Sequence, residues 1–205
     1  MKEHPLQIDE DVKRWIHIIC VVCAIALTKL TDLWFGDFLK QLPVWLGDIF
    51  PATPFAIFGL VLLLFNKIIW RHIPRNIGFL YTPDMSGKWN GSLKSSHDGF
   101  KLERSIEIFI SQSGSQILIK VTTDKSCSHS THAIITKCDG EFPYRLIYHY
   151  QNEPKASAEN TMHIHTGVVW LDISSDLIEM KGEYFTGRSR HTHGEITLRR
   201  QPLHL

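Results

Sequence analysis

Hydrophobic residues cluster in two long stretches within the first 70 residues, and the rest of the chain alternates between apolar and polar positions. The stretches cover residues 15–35 and 45–70. A helix needs about 20 mostly apolar residues to cross the hydrocarbon core of a bilayer. Tryptophan rings favour the headgroup layer, and one lies near each of the four ends: Trp15, Trp34, Trp45 and Trp70. The pattern predicts two transmembrane helices joined by a short external loop within residues 1–76.

Three other interpretations of these stretches stay open. A buried helical hairpin of a soluble protein would also be apolar, although residues 18–27 and 60–65 show no polar face. The Ala24-Ile-Ala26 triplet matches the small residues of a signal-peptide cleavage site, although a second apolar stretch follows closely. The first stretch is also short enough to be re-entrant. We favour the hairpin because it accounts for both stretches together.

Flanking charge predicts the orientation of the hairpin. Basic residues precede the first stretch and lie at or after the end of the second: Lys2, Lys13, Arg14, Lys67, Arg71 and Arg75. Between the most apolar parts of the two stretches, Lys29 and Lys40 are offset by Asp32, Asp37 and Asp48. Because positive charge stays in the cytoplasm, both termini are predicted to be cytoplasmic. The four cysteines have no metal-type spacing, which fits free thiols in a reducing compartment.

Residues 77–205 are predicted to form a β domain. Eight segments with period-two alternation are separated by turn residues such as Asp98-Gly99 and Asp139-Gly140. They cover residues 89–94, 104–111, 116–123, 126–137, 144–151, 163–173, 177–186 and 195–199. Short connections favour antiparallel hairpins, and closing the sheet removes its edges. We therefore expect an eight-stranded up-and-down antiparallel β-barrel, with an open sandwich as the alternative.

The alternating faces change character along several strands. Isoleucines at one end of the pattern give way to hydroxyls and phenols at the other, although alternation leaves open which face lines the interior. The polar positions on these faces are Ser126, Ser128, Ser130, Tyr148, Tyr150, Tyr184, Thr186 and Arg188. A barrel that is apolar at one end and polar towards its mouth suits an amphipathic or anionic ligand.

A series of short motifs runs through this domain in order. They are Gly87-Lys-Trp-Asn-Gly91 with Ser95-Ser96, Ile108-x-Ile-x-Gln112, Ser126-x-Ser-x-Ser130, Leu146-x-Tyr-x-Tyr150, His165-x-Gly167, Gly182-x-Tyr-Phe-Thr-x-Arg188 and Gly194-x-Ile196. Together with the preceding hairpin, this order resembles the two-transmembrane, β-strand-rich effectors of bacterial CBASS systems, which signal phage infection through cyclic oligonucleotides. The resemblance extends from the first apolar stretch to about residue 200.

The resemblance implies a function. In that family, a partner nucleotidyltransferase makes a cyclic dinucleotide after infection, and the barrel binds it. Binding drives self-association, and the spans then disrupt the inner membrane and kill the host cell. The chain is thus expected to be a multi-pass inner-membrane protein with a cytoplasmic barrel, acting on the lipid bilayer and binding no DNA or RNA polymer.

The candidate residues fit such a ligand chemically. Arg188 presents a bidentate fork for a phosphate. The hydroxyls of Thr186, Ser126, Ser128 and Ser130 are hydrogen-bond partners, and Tyr148, Tyr150 and Tyr184 are stacking surfaces for bases. Two plainer interpretations stay open: the serines can mark an exposed edge strand, and the tyrosines can pack across strands.

Other chemistries have less support in the sequence. The net charge is +1, so no strong overall field attracts an anion. His163 and His165 share a strand face, but no carboxylate partner completes a metal site, so no metal or cofactor is predicted. Catalytic motifs are absent, which predicts a protein without enzymatic activity. The alternative function is a membrane-anchored β-barrel that carries or senses a lipid or apolar small molecule.

Overall fold

The computed structural model describes residues 3–39, 53–78, 80–156, 163–187 and 191–202. It divides the chain into two compact units, one formed by Asp9–Thr82 and the other by Met1–Ile8 together with Pro83–Leu205. The predicted loop between the apolar stretches and the first part of the second stretch lie outside the described residues, as does Arg188.

A long helix, α1 (Glu10–Leu39), contains the first apolar stretch. Asp9 caps its start, because its carboxylate accepts a 2.9 Å hydrogen bond from the Asp11 backbone N–H. The 25 residues Glu10–Trp34 are long and apolar enough to cross a membrane, and only 17% of the most apolar window is buried. The low burial argues against the core helix of a soluble protein.

The second apolar stretch contributes a shorter described helix, α2 (Thr53–Lys67), which packs against α1 and is followed by a 3₁₀ turn at Ile69–His72. Its 15 residues correspond to about 22 Å of helix, less than the roughly 30 Å of a hydrocarbon core. Among the described residues, one helix therefore meets the length of a span. The second predicted span stays a prediction, because its first residues lie outside the described range.

The second unit is a closed, nine-stranded β-barrel. The strands are β1 (His4–Gln7), β2 (Gly87–Ser95), β3 (Glu103–Gln112), β4 (Gln116–Thr122), β5 (Ser126–Lys137), β6 (Tyr144–Pro154), β7 (His165–Ile173), β8 (Glu179–Thr186) and β9 (His193–Arg200). From β2 to β9 each strand pairs antiparallel with the next, and β9 pairs with β2. The predicted all-β domain with up-and-down order is confirmed.

The ninth strand, β1, comes from the residues just before α1 rather than from the predicted β domain. β4 and β5 pair directly only near their connecting turn, and β5 has a register shift between Ser130 and His132. Further along, β1 fills the space between them, pairing antiparallel with β4 at Ile117 and parallel with β5 at Ala133. The barrel therefore has one strand more than the eight predicted. The sequence did not reveal β1 because four residues are too few to show a period-two pattern.

Large apolar side chains fill one half of the barrel interior. Those that are essentially inaccessible to solvent include Trp89, Ile108, Ile110, Ile117, Ile119, Leu146, Leu171, Ile173, Met180 and Leu198. The indole N–H of Trp89 donates to the Met85 carbonyl at 2.9 Å, and buried Gln112 accepts from the Met85 N–H and donates to the Pro83 carbonyl. The buried polar groups of Trp89 and Gln112 are thus paired, as buried polar groups generally are.

A hydrogen-bonded network fastens β1 to the barrel. The Ser130 hydroxyl accepts from the Ile119 N–H at 2.9 Å and lies 2.7 Å from His4 Nε2. His4 Nδ1 lies 3.2 Å from the Pro5 carbonyl oxygen. A carbonyl oxygen only accepts hydrogen bonds, so Nδ1 must carry a proton to make this contact. Every contact is therefore satisfied when the His4 ring is neutral, with its proton on Nδ1 and Nε2 accepting from Ser130. Burial lowers the pKa of His4, with a smaller contribution from nearby His132, and this outweighs the opposing effect of the Pro5 carbonyl.

We predict that Leu6→Ala destabilises the barrel. Leu6 is buried, whereas its neighbour Gln7 on the same strand is exposed. Removing a buried leucine side chain costs about 2–5 kcal/mol, so the thermal unfolding midpoint of the full chain in detergent should fall by several degrees. Gln7→Ala is the matched control and should leave the midpoint nearly unchanged. Equal midpoints for the two variants would show that β1 contributes nothing to barrel stability.

We also predict that the attachment of β1 weakens in acid. Because the folded-state pKa of His4 lies below its usual value, folding favours the neutral ring. The contribution of neutral His4 to the stability of the folded barrel is fully present above the pKa of about 6.5 that histidine has in the unfolded chain. It is lost as the pH falls through the lower pKa of His4 in the folded chain. The unfolding midpoint should therefore drop more between pH 7.5 and 5 in the wild-type chain than in His4→Gln. Parallel pH profiles would contradict this role for His4.

Candidate functional site

The other half of the barrel interior holds a pocket with a volume of about 320 Å³. Its apolar lining consists of Leu93, Ile106, Val121, Val169 and Ile196. Its uncharged polar lining consists of Ser95, Thr123, Ser126, Ser128, Tyr148, Tyr150, Asn152, Tyr184, Thr186 and Thr192. Titratable side chains complete it: His97, Arg104, Asp124, Lys125 and His165. The pocket thus combines an apolar floor with many hydrogen-bonding groups, as in small-molecule sites.

The pocket exists because side-chain size changes along the inward-facing rows. On β3 the row passes from Ile110 through Ile106 to Arg104, and on β5 it passes from Ile135 to Ser128 and Ser126. Serines fill much less of the lumen than isoleucines do. The same alternation therefore builds a solid core in one half of the barrel and leaves space in the other.

Six of the eight residues predicted to bind a ligand line this pocket. They are Ser126, Ser128, Tyr148, Tyr150, Tyr184 and Thr186. Ser130 is not part of the lining, because its hydroxyl contacts His4 and the Ile119 N–H at the β1 junction. Arg188 lies outside the described residues.

One tyrosine of the pocket is held in place by a buried hydrogen bond. The hydroxyl of Tyr184 donates to Ser95 Oγ at 2.7 Å, and Ser95 Oγ also accepts from the His97 backbone N–H at 3.2 Å. Tyr184, Gly194 and Ser95 are register partners on β8, β9 and β2. The ring therefore reaches across the intervening strand β9.

Two pairs of hydroxyl groups lie beside the pocket. Thr123 Oγ1 and Ser126 Oγ are 3.1 Å apart across the β4–β5 turn. Thr186 Oγ1 and Thr192 Oγ1 are 3.0 Å apart, and the Thr186 N–H donates to the Thr192 carbonyl at 2.8 Å. The second pair joins the two ends of the segment that carries Arg188.

Charge in the described lining is partly compensated. The Arg104 guanidinium forms a 2.6 Å ion pair with Asp98. The His165 and Tyr150 rings form a T-shaped pair, with ring centroids 6.3 Å apart. Burial, and to a smaller extent Tyr150, raises the pKa of Tyr148, so its phenol stays protonated and remains a hydrogen-bond donor.

The sequence prediction missed nine of the fifteen polar lining residues, and two of the nine continue strand rows that its pattern contained. Arg104 continues the inward isoleucine row of β3, and Asn152 continues the row of Tyr148 and Tyr150 on β6. Counting two residues further along each row would have found both. Lys125 lies in a turn, where no alternation operates. The described residues contain no group of three or more His, Cys, Asp or Glu side chains placed to hold a metal ion.

The fold and pocket define a class of protein: an all-β, pocket-bearing domain in a chain that also has an apolar helix of membrane-spanning length. The family profile described as "Cap15, cyclic dinucleotide receptor domain" matches residues 80–200. CD-NTase-associated protein 15 from Yersinia aleksiciae is 31% identical over 137 residues, which are 66% of this chain and 64% of that protein. The chain belongs to the Cap15 family, which confirms the resemblance to CBASS effectors.

Proposed function

We propose that this chain is a membrane effector whose barrel pocket binds a cyclic dinucleotide made by a partner nucleotidyltransferase. Binding drives self-association of the chain, which disrupts the bacterial inner membrane and kills the infected cell. The observation that carries the proposal is the half-open barrel: a pocket of about 320 Å³ lined by hydroxyls and phenols, within the matched receptor domain. The chain acts by binding rather than by catalysis.

The pocket chemistry supports a ligand with bases, ribose hydroxyls and phosphates. Phenol faces stack with bases, and serine and threonine hydroxyls pair with sugar and base edges. Tyr150, Tyr184, Ser126 and Ser128 supply these groups. The volume is near the lower end of the range for ligand sites, so a dinucleotide fills the pocket and reaches the residues at its mouth.

We assign Lys125 and Arg188 the role of neutralising the phosphates of the ligand. Lys125 lines the pocket, and its backbone is held by the Thr123 hydroxyl, which accepts from the Lys125 N–H at 3.3 Å. Support for Arg188 comes from its described neighbours, since Thr186 and Thr192 both line the pocket. A guanidinium on this short segment pairs with a phosphate in bidentate fashion.

The membrane part of the proposal depends on α1 and on a second span that includes α2. Both termini and the barrel are placed in the cytoplasm, following the basic residues that flank the apolar stretches. A ligand shifts an equilibrium between separate and associated chains only if it binds the two states with different affinity. The associated state must therefore be the tighter binder.

The alternative function, a carrier or sensor for a lipid or apolar molecule, is less well supported by the lining. An acyl chain favours apolar walls, whereas hydroxyl, phenol and amide side chains make up much of this lining. Ser126, Ser128 and Asn152 are all buried polar lining residues.

We predict that cyclic dinucleotides release dye from vesicles that contain the full chain, and that Ser128→Phe abolishes the release. Ser128 is buried in the pocket lining, and a phenyl ring there occupies the ligand space. Lys120→Ala, an exposed change on β4, is the control and should leak like the wild-type chain. Calorimetry on the same samples measures binding, and chemical cross-linking measures association.

Three outcomes would count against the proposal. Absence of binding to every cyclic dinucleotide tested would reject the ligand class. Binding without dye release or cross-linked species would reject the membrane step. A retained acyl chain in native mass spectra of the purified protein would favour the lipid carrier.

A further inference from the structure

Two tyrosines on the pocket wall lie directly beside glycines of the neighbouring strand. Tyr150 on β6 is the register partner of Gly167 on β7, and Tyr184 on β8 is the register partner of Gly194 on β9. A Cβ atom placed on Gly167 would come within 2.5 Å of Tyr150 Cζ, and one placed on Gly194 within 3.0 Å of Tyr184 Cζ. Both contacts are closer than real Cβ atoms normally tolerate.

These contacts define how the rings lie. A side chain on each glycine would occupy the space now taken by a tyrosine ring. Each ring therefore leans over the backbone of the adjacent strand instead of standing upright in the lumen. Each ring thus lies against the barrel wall, and both Tyr150 and Tyr184 line the pocket.

The two rings are held by different contacts. Tyr184 spans β9 and ends in its 2.7 Å hydrogen bond to Ser95 on β2, so both ends of the side chain are fixed. The Tyr150 and His165 rings are nearly perpendicular, with 82° between the ring planes. Tyr148, also on β6, is only 1% exposed and belongs to the base of the pocket.

We infer that the two tyrosine–glycine pairs, Tyr150 with Gly167 and Tyr184 with Gly194, are separate stacking platforms for the two bases of one ligand. This inference rests on the proposed function. Of the three tyrosines predicted to bind the ligand, it makes Tyr150 and Tyr184 the platforms and leaves Tyr148 a structural role. A flat aromatic face stacks with any base because every base has a π-face. Two such faces on one wall select a ligand with two bases over a mononucleotide.

The strand order sets the distance between the two platforms. Tyr150 and Tyr184 are on strands separated by β7 alone, which corresponds to about 10 Å along the wall at the usual strand spacing. Buried Asn152 and Ser128 are register partners next to the first platform, where they offer hydrogen bonds to a base edge. Stacking holds each base, and these polar groups read its identity.

The test uses the full chain in detergent with a panel of cyclic dinucleotides covering purine and pyrimidine pairs. In adenine-bearing members, one adenine is replaced by 2-aminopurine, whose fluorescence falls when it stacks. Tyr150→Leu and Tyr184→Leu should each weaken binding about fivefold or more, with less quenching at saturation. Tyr150→Phe should bind within about twofold of wild type, since it keeps the aromatic face.

The Tyr184→Phe variant separates the effect of base stacking from that of the hydrogen bond that holds the ring. It keeps the ring but loses the hydrogen bond to Ser95, so its affinity should fall between those of the wild type and Tyr184→Leu. Tyr144→Leu, the same change at the far end of β6, is the matched control and should bind normally. Thermal melting of each variant checks that the barrel is folded.

The results distinguish the inference from the function on which it rests. Wild-type binding without quenching, or leucine variants that bind and quench like wild type, would overturn the platforms while leaving the receptor function intact. An equal loss in Tyr144→Leu would also overturn them, because the effect would then be structural. Failure of the wild-type chain to bind any member of the panel would instead reject the proposed function.

Discussion

The structure depends on closure of the strand ladder, in which β9 returns to pair with β2 over seven residue pairs from Trp89 to Ser95. Closure removes the exposed edges that eight sequential strands would otherwise present. It also fixes the inward direction of alternate side chains on every strand. Isoleucine, leucine, methionine and tryptophan on these rows fill one half of the lumen, and serine, threonine and valine leave the other half open. The pocket is thus a direct consequence of side-chain volume on a closed sheet.

Closure is incomplete without the residues that precede the first apolar helix. β4 and β5 separate beyond their first three paired positions, and β1 occupies the gap. Only Ile8 and Asp9 lie between the end of β1 and the start of α1 in the sequence. The chain therefore enters its apolar helix directly from a strand of the barrel. β5, which β1 contacts at Ala133, also carries Ser126 and Ser128 of the pocket.

The sequence predicted most of the barrel because its signals are local. Period-two alternation and short turns located β2 to β9. The change from isoleucine to hydroxyl side chains predicted a polar half of the barrel, and six of the eight proposed residues line the pocket there. Residues 4–7 gave no such signal, since their strand is defined by partners more than 100 positions away. The role of Ser130 was missed for the same reason, because the serine row looks uniform until β1 contacts it.

Two further features of the pocket could not be predicted from the local sequence pattern. Asp124 and Lys125 enter the pocket lining from the β4–β5 turn, where sequence alternation gives no guidance. The glycines at 167 and 194 appeared in the motifs, but their effect depends on which tyrosine is paired across the sheet. Register, rather than composition, decides these contacts.

We propose that the open half of the barrel, and not its packed half, receives the nucleotide. Methyl-labelled NMR of the full chain in detergent, titrated with a cyclic dinucleotide, tests this directly. The account predicts shifts for the pocket methyls of Leu93, Ile106, Val121, Val169 and Ile196. It predicts little change for the core methyls of Ile110, Leu146, Leu171 and Leu198. Shifts confined to the core, to the outer surface or to α1 would contradict it.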